Sequence, residues 1–219
     1  MDFVLDKWIG VVLVIYSVSL HELGHAWTAT YFGDPTPGRH GRLTWNPLVQ
    51  LHPVYSFAMP LLSYITMGWP MGWAFCPIDP SRFKKPLRDN ALTALAGPAV
   101  NFAIVGLCIG MLWIPFLTPP DKLTYTVFFG VGLWNLFLGA FNLLPLPGLD
   151  GYYVVRAFLP YRIRNPLDQV RRMGFVPLLL IIVLAPTFFT PIKWFFVDLY
   201  ALALPERVDF SELMWFWRR

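Results

Sequence analysis

A hydrophobic segment over residues 8–32 carries three ionisable side chains, His21, Glu22 and His25, within five positions. Such groups are costly inside an apolar helix unless they bind something, so this segment constrains everything that packs around it. Positions i and i+4 of a helix share a face, so His21 and His25 can present imidazole nitrogens to one point. Glu22 is turned about 100° from His21. This is the division of labour of a metallohydrolase: two imidazoles for Zn²⁺, and a carboxylate to hold a water and take its proton. Gly24 leaves room for a second backbone or a substrate to approach.

The rest of the chain reads as a membrane protein. Of 219 residues, 56% are hydrophobic and 14% charged, with a mean hydropathy of +0.52, whereas about a quarter of residues are charged in soluble domains. After the first segment, closed by Gly33-Asp34-Pro35, spans are expected at 91–117, 123–146 and 175–191. The stretch 54–75 is interrupted by Pro60 and by Gly68-Trp69-Pro70, which leaves little uninterrupted helix for a crossing. A short strand is expected over 39–45, and residues 71–78 offer a second candidate edge. Residues 81–90 read as a basic loop and 152–172 as a basic polar segment, and 194–204 is short and apolar. The tail, 205–219, mixes Trp215, Phe216 and Trp217 with Arg218 and Arg219, as an interfacial anchor does.

The expected fold is therefore an all-α polytopic membrane protein. It has a three-helix catalytic core (about 8–151), one or two further C-terminal spans and a tail (about 152–219), and a short re-entrant β/loop element after the first helix. One membrane-embedded peptidase domain occupies 1–219. The net charge of +4 comes from Lys and Arg flanking apolar runs, which argues for topology and against nucleic acid. Cys76 and Cys108 show no CxxC spacing and indicate no disulfide framework.

Catalytic zinc takes three protein ligands and keeps one open position. Asp150 ends an apolar span behind Pro145 and Pro147, which stop a regular helix and can turn the carboxylate inward. Alone, Pro147-Gly148-Leu149-Asp150-Gly151 reads equally well as an ordinary helix-ending turn. Paired with His21-Glu22-Leu23-Gly24-His25, Asp150 becomes the favoured third ligand of one Zn²⁺ per chain.

These motifs resemble the site-2 protease family, intramembrane zinc metalloproteases of peptidase family M50. That family pairs HExxH in one transmembrane helix with Asn-x-x-Pro-x-x-x-Leu-Asp-Gly in another, here His21 to His25 and Asn142 to Gly151. Ala96-Gly97-Pro98-Ala99-Val100-Asn101 is similar to the family's Gly-Pro-x-x-Asn segment. The loop with Gly33-Asp34-Pro35-Thr36-Pro37, Gly41-Arg42-Leu43-Thr44 and Asn46-Pro47-Leu48 resembles a small bacterial branch without PDZ or CBS domains. Departures fall at Gln50-Leu51-His52-Pro53 and Gly72-Trp73-Ala74-Phe75-Cys76-Pro77, away from the expected ligands.

The resemblance implies hydrolysis of peptide bonds within or near transmembrane segments of membrane proteins or signal-peptide remnants. Glu22 would act as base, and Asn142 would hydrogen-bond the substrate backbone or the oxyanion. For Asn101 the favoured role is tying helices together. His40 and His52, at no ligand spacing, read as loop residues rather than a second metal site.

A shared metal requires His21, His25 and Asp150 at one depth, so the first helix and the one before Asp150 should run parallel, with an odd number of crossings between them. Residues 91–117 supply one, which makes 54–75 re-entrant. Arg39, Arg42, Arg82, Lys84, Lys85 and Arg88 then share a side with Arg156, Arg162, Arg164, Arg171 and Arg172. That asymmetry puts this side in the cytosol of a bacterial cell, with the site nearer the cytosolic face of the cytoplasmic membrane and the N-terminus outside.

Three rival readings carry different expectations. A noncatalytic relative that binds transmembrane helices has no need of Glu22 and a full ligand set. A metal transporter calls for more polar residues along a through-pathway. A membrane-anchored metalloprotease with a soluble site takes a third-ligand Glu, and the other Glu residues, Glu206 and Glu212, lie in the tail.

Overall fold

The computed structural model describes residues 2–50, 76–114, 122–173 and 186–205, and they are helical with no strand among them. Helix α1 runs over Asp2–Tyr31. It ends because Gly33 adopts φ +102°, a conformation other residues disfavour. The Asp34 N–H then returns to the Ala29 carbonyl and the Gly33 N–H to the Thr30 carbonyl, both at 3.0 Å, satisfying carbonyls that the helix end leaves orphaned.

Two single turns follow, α2 (Thr36–Arg39) and α3 (Pro47–Gln50). The expected strand at 39–45 does not form. Gly41 sits at φ +68°, and the N–H groups of His40, Gly41 and Arg42 bond back to Thr36, Gly38 and Pro37, so the chain coils where a strand would have to extend. Buried Gln50 donates to the Arg42 carbonyl at 2.8 Å, and the Ser19 hydroxyl on α1, which bonds the Ile15 carbonyl at 2.8 Å, also lies 3.4 Å from the Pro47 carbonyl where this loop meets the helix.

After a 3-10 turn at Pro80–Arg82, helix α4 covers Pro86–Trp113. It starts earlier than the hydropathy implies. Pro86 needs no helical N–H partner at the first position, and the Asp89 carboxylate accepts from the Lys85 N–H at 2.8 Å. Among the described residues α4 is the helix long and apolar enough to cross a membrane, by length and composition. Helix α5 (Lys122–Asn142) stops short of the expected 146, because Pro145 cannot continue it. The basic segment is two helices, α6 (Asp150–Arg156) and α7 (Tyr161–Arg172). Helix α8 (Pro186–Leu202) takes in most of the apolar 194–204 stretch. The expected re-entrant element at 54–75, most of the span at 175–191 and nearly all of the tail lie outside the described residues.

Helix α4 is central, packed against α1, α5 and α6. Its buried residues recur every three or four positions: Ala91, Ala94, Gly97, Pro98, Asn101, Val105, Cys108 and Leu112. Small residues there let the helices close on one another. Residue order along the contacts gives direction. His21 meets Asn101 while His25 meets Thr93, so α4 runs antiparallel to α1. Gly132 faces Cys108 while Gly139 faces Asn101, so α5 runs antiparallel to α4. Helices α1 and α5 are therefore parallel. The connection from α1 to α4 also leaves and returns at one end of the bundle, where Asp34 accepts from the Asp79 N–H at 2.7 Å. Helix α8 closes the far side: Val197, Tyr200 and Leu204 pack with Val105, Leu112, Phe129 and Leu133.

Candidate metal centre

His21 and His25 project from adjacent turns of α1 with ring centroids 4.6 Å apart and planes at 85°. Their Nε2 atoms are 3.0 Å apart. Asp150, the first residue of α6 rather than the last of α5, brings Oδ2 to 3.2 Å from His21 Nε2 and 3.3 Å from His25 Nε2. The turn that delivers it depends on Gly148 at φ +108° and on Gly151, where an added Cβ would lie 2.1 Å from the Leu143 carbonyl oxygen. Glu22 has a donor atom within 4.8 Å of both histidine donors. His21, Glu22 and His25 are 5%, 8% and 5% exposed, so this polar cluster is shielded by the helices around it.

The donor set fits a zinc ion. With Zn–N near 2.05 Å, tetrahedral ligands stand about 3.3 Å apart, and the triangle of His21 Nε2, His25 Nε2 and Asp150 Oδ2 has edges of 3.0, 3.2 and 3.3 Å. Its protons are elsewhere. His25 Nδ1 donates to the Thr93 carbonyl at 2.7 Å, and His21 Nδ1 faces Asn101 Oδ1 at 2.6 Å, an arrangement in which each ring, as a metal ligand, turns its Nε2 lone pair inward. Apart from the two imidazoles, buried Asp150 Oδ2 has no hydrogen-bond partner among the described residues. Three converging lone pairs repel one another unless a cation lies between them.

Gly97 makes room for the histidines. A Cβ there would lie 2.4 Å from His25 Nε2 and 2.6 Å from His21 Nε2. At Gly24 a Cβ would lie 2.9 Å from Val100 Cγ2 and 3.0 Å from the Ala96 carbonyl oxygen, so α1 and α4 cross almost backbone to backbone. Pro98, inside the helix, withholds an N–H from the Ala94 carbonyl, next to the Thr93 carbonyl that orients His25.

Of the residues expected from sequence, His21, Glu22, His25 and Asp150 come together. Asn142, the last residue of α5, is buried and donates from Nδ2 to the Leu138 carbonyl at 3.0 Å; no hydrogen bond joins it to the other four among the described residues. Asn101 ties helices as expected and also holds a histidine. Sequence reasoning passed over Asn135 and Ser17, which continue the chain of hydrogen bonds behind Asn101. The available signal for Asn135 was a lone amide within an apolar helix.

Beyond the metal centre, α6 and α7 are clamped together. Arg156 grips Asp168 through Nε at 2.7 Å and Nη2 at 2.8 Å, and the Tyr152 hydroxyl also donates to Asp168. The Arg156 hydrogen bond is the main reason the Asp168 carboxyl is held down to about 2, while burial pushes the Tyr152 hydroxyl up to about 12.

The chain is similar to "Putative zinc metalloprotease YwhC" of Bacillus subtilis, 35% identical over 184 residues that cover 79% of each chain. The chain belongs to peptidase family M50. The model of that family matches residues 118–185, which include Asp150. Other relatives are the proteins named "Putative zinc metalloprotease Rip2". The one from Mycolicibacterium smegmatis is 30% identical over 87% of this chain and 75% of its own length. The one from Mycobacterium tuberculosis is 32% identical over 93% and 78%. No solved structure matches the chain. The protein is an M50 zinc metalloprotease, and its cofactor is Zn²⁺.

Proposed function

We propose that this metalloprotease cleaves peptide bonds within or near transmembrane segments of membrane proteins, with one Zn²⁺ held by His21, His25 and Asp150. The observation that carries this reading is the position of the buried donor triangle, inside α1 and against Gly97 of the membrane-length helix α4. Zn²⁺ at that position supplies Lewis acidity, acidifying a water and polarising a peptide carbonyl. Glu22, within 4.8 Å of both histidine donors, accepts the water proton at its carboxylate and passes it to the leaving amine. His25 and His21 are kept in the metal-binding tautomer by Thr93 and Asn101. One N–H of the Asn142 amide is held by Leu138, and the second is left to hydrogen-bond the substrate backbone or its developing oxyanion. The shielding of the site keeps bulk water from competing for these charges.

The chain is read as a polytopic protein of the bacterial cytoplasmic membrane. The parallel course of α1 and α5, with α4 antiparallel, supports two things: α4 as the crossing between them, and a connection from α1 to α4 that does not cross. The bundle end where α1 finishes and α4 begins carries Arg39, Arg42, Arg82, Lys84, Lys85 and Arg88. Arg156, Arg162, Arg164, Arg171 and Arg172 follow α5 at the same end. This supports the cytosolic side there.

The test is cleavage of a panel of transmembrane peptides by the purified protein in detergent, with bound zinc measured in parallel. Glu22→Gln should keep its zinc and lose cleavage. Undiminished cleavage by that variant overturns the assigned base. Zinc flux into proteoliposomes without cleavage overturns the protease reading in favour of transport.

A further inference from the structure

Behind His21 a line of buried amides crosses three helices, and its polarity can be read from one end to the other. Asn135 on α5 donates from Nδ2 to the Val131 carbonyl, 2.8 Å away on its own helix, and to Ser17 Oγ on α1, also at 2.8 Å. A carbonyl can only accept, so the Asn135 atom facing Val131 must be the amide nitrogen. The other Asn135 atom is then the oxygen, and it must receive a proton from the group facing it, Asn101 Nδ2 at 2.8 Å. That fixes the Asn101 amide as well: its oxygen faces His21 Nδ1 at 2.6 Å and accepts from it. His21 therefore carries its proton on Nδ1 and bares Nε2 toward His25 and Asp150. Asn101 and Asn135 are both 0% exposed, so water cannot replace a lost partner in this line.

We infer that Asn135 is a positioning residue for the metal, acting through Asn101. It converts the fixed direction of the Val131 carbonyl into the tautomer and ring orientation of His21. His25 obtains the same result directly from the Thr93 carbonyl, so each histidine tautomer is set by a backbone carbonyl, one at first hand and one through two amides. With Asn135 replaced by an apolar residue, the Asn101 Nδ2 loses its acceptor, and nothing prevents the Asn101 amide from turning over. A turned amide offers N–H to His21 Nδ1, favours the opposite tautomer and puts a proton on Nε2 where the metal should sit. Ser17 plays a different part. It accepts the second Asn135 N–H but does not set the polarity, which the Val131 carbonyl fixes alone.

This inference rests on the reading that His21, His25 and Asp150 hold Zn²⁺, and the experiment separates the two. Full-length protein in detergent is titrated with Zn²⁺ against a chromophoric chelator, comparing wild type, His21→Ala, Asn135→Leu and Ser17→Ala. Thermal unfolding of each metal-free protein reports the fold. Asn135→Leu should bind zinc about 10–100-fold more weakly, the usual cost of losing an outer partner of a ligating histidine, while Ser17→Ala should stay within about twofold of wild type. Wild-type affinity in His21→Ala overturns the metal-site reading. Loss in His21→Ala with wild-type affinity in Asn135→Leu overturns the relay alone, and a Ser17→Ala loss as large as that of Asn135→Leu overturns the polarity assignment.

If Asn135→Leu does not fold, the wild type decides. The chain has 4 histidines, so ¹⁵N-histidine labelling gives an assignable spectrum. In the metal-free protein, at a pH where its ring is neutral, His21 should show a protonated Nδ1 and a bare Nε2. A metal-free His21 protonated on Nε2 overturns the proposal, and a purely structural role for Asn135 would leave that tautomer unconstrained.

Discussion

Gly97→Ala is the substitution most damaging for its size. The new methyl would sit 2.4 Å from His25 Nε2, and 2.6 Å from both His25 Cε1 and His21 Nε2, whereas relaxed contacts between such atoms lie near 3.5 Å. About 1 Å must be found. If the rings retreat, the donor triangle opens by several times the roughly 0.2 Å that a metal site tolerates. If α4 retreats instead, the bonds that orient the rings, His25 to Thr93 at 2.7 Å and His21 to Asn101 at 2.6 Å, stretch beyond hydrogen-bonding range. Either route should weaken zinc binding by about 100-fold, with about 1–3 kcal/mol lost from the fold through overpacking. Chelator competition in detergent reads the first quantity and denaturation of the metal-free protein the second. Gly106→Ala and Gly110→Ala are the controls on the same helix: neither Cβ would meet any atom within 4 Å, so both should bind zinc as wild type does and gain about 0.4–1 kcal/mol. Zinc binding by Gly97→Ala within threefold of those controls would refute the reasoning.

Gly132→Ala should loosen α8 at a cost of about 1–3 kcal/mol in a denaturation midpoint, because its Cβ would fall 1.8 Å from the Tyr200 hydroxyl. Adding Tyr200→Phe should recover only part of that, since Tyr200 Cζ is itself 2.5 Å from the new methyl. The Asp168 clamp has a depressed pKa, so its stabilisation is complete above the ordinary 3.8 and is lost as pH falls toward about 2. The melting-temperature gap between wild type and Asp168→Asn should accordingly be flat from neutral pH to about 5 and close below that window; a gap that closes near pH 6 contradicts the assignment. Zinc that joins α1 to α6 stabilises only the folded state, so the melting temperature should rise with free zinc, by about 2.7 kcal/mol of stability at a hundredfold excess over Kd. It should stop responding in Asp150→Ala, and an unchanged response there removes Asp150 from the ligand set.

The helices were legible in the sequence wherever hydropathy and proline act alone. The run at 8–32 falls almost wholly in α1, which begins earlier, at Asp2, and Pro145 ends α5. Boundaries went wrong where a local bond outweighs hydropathy. Residues 86–90 look like basic loop, yet Pro86 and the Asp89-to-Lys85 bond start α4 there. The basic stretch at 152–172 reads as polar because its charge hides two helices, which the Arg156–Asp168 pair locks together. At 39–45 the residues favour a strand, but Gly38 and Gly41 flank turns that consume the N–H groups a strand would need.

The site divides along a similar line. His21, Glu22 and His25 lie within five residues of one helix, so spacing alone places them, and the paired motif brings in Asp150. What surrounds them belongs to other helices, and which residue faces His21 depends on the register of α4 against α1. A shift of a single residue along α4 would carry Asn101 off that face. No pattern within one helix encodes that register. It is set by Gly24 against Ala96 and Gly97 against the two imidazoles, close approaches that exist only once the helices have met. The buried polar groups carry the same information in another form. An amide within an apolar helix must find a partner or pay its full desolvation cost, so Asn101 and Asn135, each on a different helix, already imply that α4 and α5 pack with those positions facing. Their contact at 2.8 Å and the histidine at the end of the line make helix packing and metal-site geometry one problem with one solution.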